Sequence, residues 1–244
     1  MAVIVTKLPE DNASPQCRRG YQTKTEQVAI RGVDNLHIRS LLDKQQYADP
    51  NGEAAAAGFS SANWSLFGVL WPSARQLAAH MAGRPMVAGQ RILEVGCGLA
   101  LASMVCHRRG VDVTASDAHP LALSFLMDNL RLNDLPPLTY RHGDWAADPD
   151  KVIHDMHPVV RGRFDVIMGS DVLYERDEGG NLTRFIERHA MPHAEVLIVD
   201  PNRGNRTPFI RRMSVMGFAL AELPLSEAQD NGEPYKGRLL AFSR

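Results

Sequence analysis

From residue 91 onward the chain alternates short, branched, nearly unbroken apolar runs with longer amphipathic ones. The runs at 91–96 (RILEVG), 111–116 (VDVTAS), 138–143 (LTYRHG), 164–169 (FDVIMG) and 195–200 (EVLIVD) predict strands. Because they show little polar alternation, both faces of their sheet are expected to be covered. Helical patterns fall between them at 99–109, 120–133, 179–190 and 206–216, with a weaker one near 148–157. Two last strands are expected at 218–225 (FALAELPL) and 238–243 (RLLAFS). The polar connection 226–237 carries no helical pattern, so these two strands should be antiparallel. The pattern predicts an α/β fold, a Rossmann-like three-layer sandwich. Its seven-stranded sheet would be mostly parallel, with a C-terminal antiparallel strand pair. A ligand would sit outside the carboxyl ends of the central strands, where the strand order reverses.

The first ninety residues read differently. Residues 1–25 are polar with scattered proline and glycine, and predict a flexible arm. Two apolar-rich runs, 26–31 (EQVAIR) and 36–42 (LHIRSLL), flank a turn-like stretch at 32–35 and predict a β-hairpin. Residues 49–61 read as a loop or short helical turn. Residues 64–71 are aromatic and apolar, and Pro72 opens a helical pattern, a position where its missing N–H costs little. The chain is thus expected to divide into an arm (1–25), a hairpin with a cap helix (26–90) and the α/β domain (91–244).

Composition narrows the function classes. Hydrophobic residues make up 44% and charged residues 23% of the 244 positions, as in ordinary globular domains. A chain of this length buries roughly 70–75% of its unfolded surface and needs no disulfide. Its three cysteines, Cys17, Cys97 and Cys106, are sparse, odd in number and without zinc-site spacing, which fits a reducing compartment. A net charge of −1 argues against a surface built to hold nucleic acid. The opening MAVIVTKLPEDN has no signal-peptide pattern, and no stretch approaches ~20 apolar residues. The cytoplasm is the expected location, with no membrane partner.

Candidate chemistry begins at the end of the first α/β strand, Glu94-Val95-Gly96-Cys97-Gly98-Leu99-Ala100. Two glycines let the backbone approach a ligand closely and let a helix start against the strand. A dinucleotide fold would place a third glycine at position 101, which is Leu101, and a pyrophosphate at the helix start. Glu94 would repel that phosphate and suits a ligand cation, an ammonium or sulfonium. Asp117 ends the next strand, 19 residues after Gly98, where a carboxylate reaches the hydroxyls of a ribose. Taken singly, Glu94 could cap a helix and Asp117 could start a turn. Together around the glycine turn they point to a nucleoside-bearing ligand.

ILEVGCGLA followed by ASDAHP resembles the seven-β-strand, class I S-adenosylmethionine-dependent methyltransferases, over roughly 91–244. That resemblance implies S-adenosylmethionine as cofactor. It places Glu94, Gly96 and Gly98 at the methionine and ribose portions and Asp117 at the ribose hydroxyls. Asp144 and Trp145 would frame the adenine, and Ala118 and Ser170 would complete the cofactor site. The segment GVLWP at 68–72, the pair Asp144-Trp145 and the run Asp171-Val172-Leu173-Tyr174 are similar to the lysine methyltransferase-like family, also called nicotinamide N-methyltransferase-like. The family implies a protein substrate, usually a lysine. Asp200-Pro201-Asn202-Arg203 is similar to an Asp-Pro-Gly-Arg turn of its electron-transfer-flavoprotein-directed branch, with Asn202 in place of glycine.

The turn after the fourth α/β strand separates acceptor classes. Methyltransferases of DNA bases or glutamine carry an Asn-Pro-Pro-Tyr-like loop there. Here Ser170-Asp171-Val172-Leu173-Tyr174 has no proline, which argues against a DNA or glutamine target. Asp171 would orient a cofactor or substrate nitrogen and Tyr174 would line the methyl-transfer channel. The plainer reading has Asp171 capping a helix near Asp177 and Tyr174 packing. Trp71 could close over the cofactor, its face favouring a sulfonium charge, or anchor the N-terminal segment. Trp64 reads as core or lid. The histidines 154 and 157, the pairs 18–19 and 211–212, and Cys97 and Cys106 read as solvated or packing residues, and no metal site is expected. Transfer to a protein lysine leads. A small-molecule N- or O-methyltransferase, a non-catalytic partner protein and a nicotinamide-cofactor dehydrogenase are the alternatives. The last is disfavoured by Leu101, Glu94 and the terminal strand pair.

Overall fold

The computed structural model describes residues 20–147, 158–174, 176–226 and 232–244. The expected weak helix near 148–157, with histidines 154 and 157, lies outside them, as do Cys17 and the 18–19 arginine pair.

An N-terminal hairpin, β1 (Thr23–Val28) and β2 (Leu36–Leu41), is antiparallel, with Thr23 facing Leu41 and Val28 facing Leu36. Its first strand lies three residues earlier than expected and takes in positions assigned to the arm. The expectation followed the apolar residues Val28 and Ile30. Ile30 is buried, but in the connection between the strands, while β1 itself is largely polar because it is the half-exposed outer strand. A helical turn, α1 (Glu53–Ala56), follows, its first amides held by the Asp49 carboxylate at 3.1 and 2.8 Å. Then come a 3-10 turn (Trp64–Gly68) and α2 (Pro72–Gly83), with Pro72 in its first turn.

The main sheet begins at β3 (Arg91–Val95) and runs through α3 (Leu101–Arg108), β4 (Asp112–Asp117), α4 (Ala122–Leu132), β5 (Thr139–His142), β6 (Phe164–Ser170), α5 (Asn181–His189), β7 (Ala190–Asp200), α6 (Arg206–Val215), β8 (Ala219–Leu225) and β9 (Gly237–Ser243). Strand order is β5-β4-β3-β6-β7-β9-β8. Strands β3 to β7 are mutually parallel, and β9 is antiparallel to both β7 and β8. The predicted fold class is thus the observed one. β7 starts five residues before its expected boundary, because α5 runs directly into it. The extra residues make an irregular pairing with β6 between Phe164 and Val166.

Alternate strand residues feed two cores, as the pleat requires. Ile92, Val166, Met168, Leu197 and Val199 pack on the side of α2, α3, α4 and the hairpin. Leu93, Val95, Ile167, Val196 and Ile198 pack on the side of α5 and α6. The hairpin is tied to α4 by side chains that imitate a third strand. Asn129 Oδ1 accepts from Arg39 N (2.7 Å) and Asn133 Oδ1 from His37 N (2.9 Å), and their Nδ2 atoms donate back to the same residues' carbonyls. An edge that would otherwise leave backbone groups unpaired is closed in this way.

Candidate active site

The chain turns outward from β3 in both directions, to β4 and to β6, so the carboxyl ends of β3 and β6 border the crevice this topology opens. A cavity of about 1000 Å³ occupies that position. Trp71, Gly96, Gly98, Asp117, Ala118, Asp144, Trp145, Ser170, Asp171 and Tyr174 all line it. Glu94 does not.

The glycine turn explains the difference. Gly96, Gly98 and Ala100 have φ of 58°, 51° and 58°, so the chain reverses within a few residues. A Cβ on Gly98 would lie 2.8 Å from the Phe67 carbonyl oxygen, and one on Gly96 would lie 3.0 Å from Val172 and 3.2 Å from the Trp145 ring. The tight turn leaves α3 without a side-chain N-cap, since Ala100 holds that position. Glu94 supplies the cap from β3. Its Oε2 accepts from the Ser103 amide (2.9 Å) and hydroxyl (2.5 Å), in the helix's first turn, where amides otherwise lack partners. The Glu94 side chain is therefore committed beneath the turn and does not reach the cavity wall.

Burial raises the Glu94 carboxyl to about 7 despite the two Ser103 bonds, and nearby Asp117 adds to the rise. In the unfolded chain the group ionises near its ordinary 4.5. Between these values the folded state holds the extra proton. This contribution to stability is complete below about pH 4.5 and is lost as pH rises through about 7. Glu94→Gln keeps an acceptor for the Ser103 amide and stays neutral. Relative to wild type, it is expected to be more stable at pH 8, by up to about 3 kcal/mol and with a higher melting temperature, and to differ little at pH 5. Thermal melts of both proteins at the two pH values check this; an equal difference at both would contradict it.

Asp117 joins the two turns. Its Oδ2 accepts from Gly98 N (2.9 Å) and its Oδ1 from His119 N (2.8 Å). Burial raises its pKa, against the pull of these backbone amides. Each carboxylate oxygen keeps further lone pairs for hydroxyl donors. At the end of the neighbouring strand β5, Asp144 holds an Asx turn to Ala146 N (2.8 Å) and so presents Trp145. The Trp145 ring lies against Gly96, and its buried Nε1 has no partner among the described residues. An unpaired buried N–H in a cavity wall is unfavourable until a ligand accepts from it. A buried carboxylate at a strand end, an aromatic wall and glycines that open the turn fit a nucleoside-bearing cofactor.

The roof comes from the N-terminal segment. The Phe67 ring stacks on His119 (3.8 Å between centroids, 11°), and Phe59 and Trp64 meet the same imidazole edge-on. Burial lowers His119 to about 3, so it packs as a neutral ring. Trp64 is core. Trp71 donates from Nε1 to Leu66 O (2.8 Å) while lining the cavity, so it both anchors the segment and faces the site.

At the far end, Asp171 has φ 56° and its amide donates to Val199 O (2.9 Å). Its Oδ1 accepts from Arg203 Nε at 2.6 Å in an ion pair whose carboxylate is almost fully covered. Helix α5 is capped by Asp177, which accepts from the Asn181 and Leu182 amides (2.7 and 3.0 Å), and so needs nothing from Asp171. Tyr174 lines the cavity and is 39% exposed. Sequence reasoning missed Arg203, Lys44 and Phe67 as cavity residues, and read Arg212 as solvated. Arg212 instead lines the cavity and donates to Glu178 O (2.9 Å). The signal for Arg203 was present: Asp171 and Asp200 follow neighbouring parallel strands, and two carboxylates there call for a cation. Cys97 and Cys106 are buried thiols, the second pushed up to about 12 by burial. Among the described residues no group of three His, Cys, Asp or Glu is placed to hold a metal, and no helix is long and apolar enough to cross a membrane.

A family model described as lysine methyltransferase matches residues 60–215. The chain belongs to this family. Membership bears out the resemblance drawn from GCG, Asp144-Trp145 and the Asp171 to Tyr174 run, and with it S-adenosylmethionine as cofactor. The chain is 23% identical over 176 residues to the mouse electron transfer flavoprotein beta subunit lysine methyltransferase, covering 71% of this chain and 64% of that protein. It thus matches just under two thirds of that relative's length. It is 24% identical over 226 residues to mouse EEF1A lysine methyltransferase 3, covering 91% and 93%. Among solved structures, magnesium protoporphyrin IX methyltransferase from Synechocystis PCC 6803 with bound SAM shares the fold, with TM-score 0.53, 14% identity, and 82% and 100% coverage.

Proposed function

We propose that this protein transfers a methyl group from S-adenosylmethionine to the side-chain nitrogen of a lysine in a protein substrate. One observation carries the reading: Asp117, suited to ribose hydroxyls, and the turn from Asp171 to Tyr174 face the same cavity from the ends of β4 and β6, the two strands that flank β3. The mouse relatives are lysine methyltransferases of proteins, which supports the acceptor class.

The cofactor supplies, when bound, a methyl group on a positively charged sulfur. Asp117 would accept from its ribose hydroxyls, while Trp145 and Ala118 would wall its base. Ser170 and the glycine turn would shape the passage between. The acceptor lysine arrives as an ammonium and must lose its proton before its lone pair can attack. Burial against Trp71, Val172 and Leu173 favours the neutral amine. The Asp171 and Arg203 pair contributes no net charge, so it neither holds the ammonium as a bare carboxylate would nor leaves a buried charge unbalanced. Tyr174, which lines the same cavity, would hold the arriving amine in line, for which separations of about 3–3.5 Å are required.

Two substitutions separate cofactor binding from transfer. Asp117→Ala is expected to weaken S-adenosylmethionine binding by at least about a hundredfold, since two bonds to a charged acceptor are lost. Asp171→Asn keeps a partner for Arg203. It is expected to bind cofactor within about threefold of wild type while slowing transfer at least about a hundredfold. Calorimetric titration and labelling of an undermethylated cell extract read the two effects. Unchanged affinity in Asp117→Ala, or unchanged labelling in Asp171→Asn, would refute the corresponding role.

A further inference from the structure

A second cavity of about 630 Å³ opens behind the first. It shares three residues with the first, Trp71, Asp171 and Arg203, so the two spaces have a common wall made of the ion pair and an indole. Its other sides come from the start of α2 (Pro72, Ser73), the turn after β7 (Pro201, Asn202) and the run into β9 (residues 233–236).

We propose that this second cavity is the entrance for the acceptor lysine, which passes along it to the Asp171 and Arg203 wall and there meets the cofactor cavity. The inference rests on the lysine methyltransferase reading and names the face from which its substrate approaches. Three observations carry it. The first is continuity: an acceptor must reach the cavity that holds the cofactor without entering through the space the cofactor fills, and the second cavity adjoins it through Asp171. The second is lining. Trp71, Pro72, Pro201, Pro234 and Tyr235 present apolar and aromatic surface, which suits the methylene stem of a lysine. Tyr235 is held rigid there, buried, with its hydroxyl 2.8 Å from Ser73 Oγ. The third is charge. Glu233 is exposed at the cavity, where a carboxylate attracts an arriving ammonium. Lys236 stands nearby, and its like charge disfavours the protonated amine inside the cavity. Arg203 is also fixed from both sides, by Asp171 Oδ1 through Nε and by Asp200 Oδ2 through its amide (3.0 Å).

The rival approach is the open end of the first cavity, by Tyr174, Glu178 and Arg212. Two variants of exposed or half-exposed loop residues distinguish the routes: Pro201→Trp fills the second cavity, and Glu178→Arg crowds the rival end. The probe is N-acetyl-lysine methylamide, titrated at millimolar concentration into ¹⁵N-labelled protein saturated with S-adenosylhomocysteine. The expected result is movement of the Trp71 indole signal and of the Arg203 and Lys236 amides. Pro201→Trp should abolish these movements and Glu178→Arg should leave them. In extract labelling, Pro201→Trp should lower transfer into protein at least about tenfold with cofactor affinity unchanged. Movements confined to Tyr174, Glu178 and Arg212, movements that survive Pro201→Trp, or no movement at all would overturn the proposal. Wild-type protein that labels no protein in extract would refute the lysine reading separately, because the spectra report binding without turnover.

Discussion

Removal of the last six residues, 239–244, is expected to leave an insoluble or unfolded chain. β9 lies inside the sheet, between β7 and β8, and not at its edge. Truncation deletes Leu239, Leu240 and Phe242, all essentially inaccessible to solvent. Losing each such side chain costs about 2–5 kcal/mol. Their sum is comparable to the roughly 5–15 kcal/mol by which a domain of this kind is stable. It also strips β7 of its antiparallel partner and leaves β8 without a neighbour. Soluble yield and circular dichroism read the outcome. A truncated chain that melts cooperatively near the full-length temperature would contradict the strand order.

Gly98→Ala is expected to damage cofactor binding and stability together, and far more than Gly58→Ala does. Both glycines have positive φ, 51° and 86°, so both substitutions carry a backbone strain of about 1 kcal/mol. The surroundings differ. Nothing lies within 4 Å of a Cβ on Gly58, while one on Gly98 meets the Phe67 carbonyl oxygen at 2.8 Å. Backbone cannot swing aside as a side-chain tip can, so either the glycine turn or the roof must move, at a further cost of about 1–3 kcal/mol. The Gly98 amide also donates to Asp117 Oδ2, so a shifted turn misplaces the carboxylate proposed for the ribose. Melting temperature and S-adenosylmethionine affinity, measured on both variants, give the comparison. Equal effects at the two positions would show that the close approach to Phe67 is unimportant.

The parts of the fold that were legible in the sequence are those governed by local chemistry. Runs such as RILEV and FDVIMGS read as strands because residues of both parities are apolar, and the structure places Ile92 and Leu93 in opposite cores. β1 was placed three residues late because an outer strand satisfies the pairing rule with Thr23, Lys24 and Thr25, which carry no apolar signal. The head of β7 was missed because its residues 191–193 are exposed and helix and strand meet there without a turn. At the site, residues whose backbone shapes the cavity were legible, because positive φ at Gly96 and Gly98 and the strand-end acids leave marks in sequence. Arg203 left a mark only in the two strand-end acids, Asp171 and Asp200, that call for a cation, and Arg212 left none, since its place depends on how α6 packs. Glu94 lies between these cases. Its importance could be read, but its commitment to Ser103, nine residues on, required knowing that α3 begins without a cap of its own.

The most direct test of the account is transfer of label from radiolabelled S-adenosylmethionine into an undermethylated cell extract by the purified protein. Asp171→Asn and protease-treated extract serve as controls. The account predicts a labelled, protease-sensitive band that is absent with the variant, and mass spectrometry of that band should find the methyl group on a lysine side chain. Label that resists protease and travels with small molecules, or sits on a residue other than lysine, would contradict it.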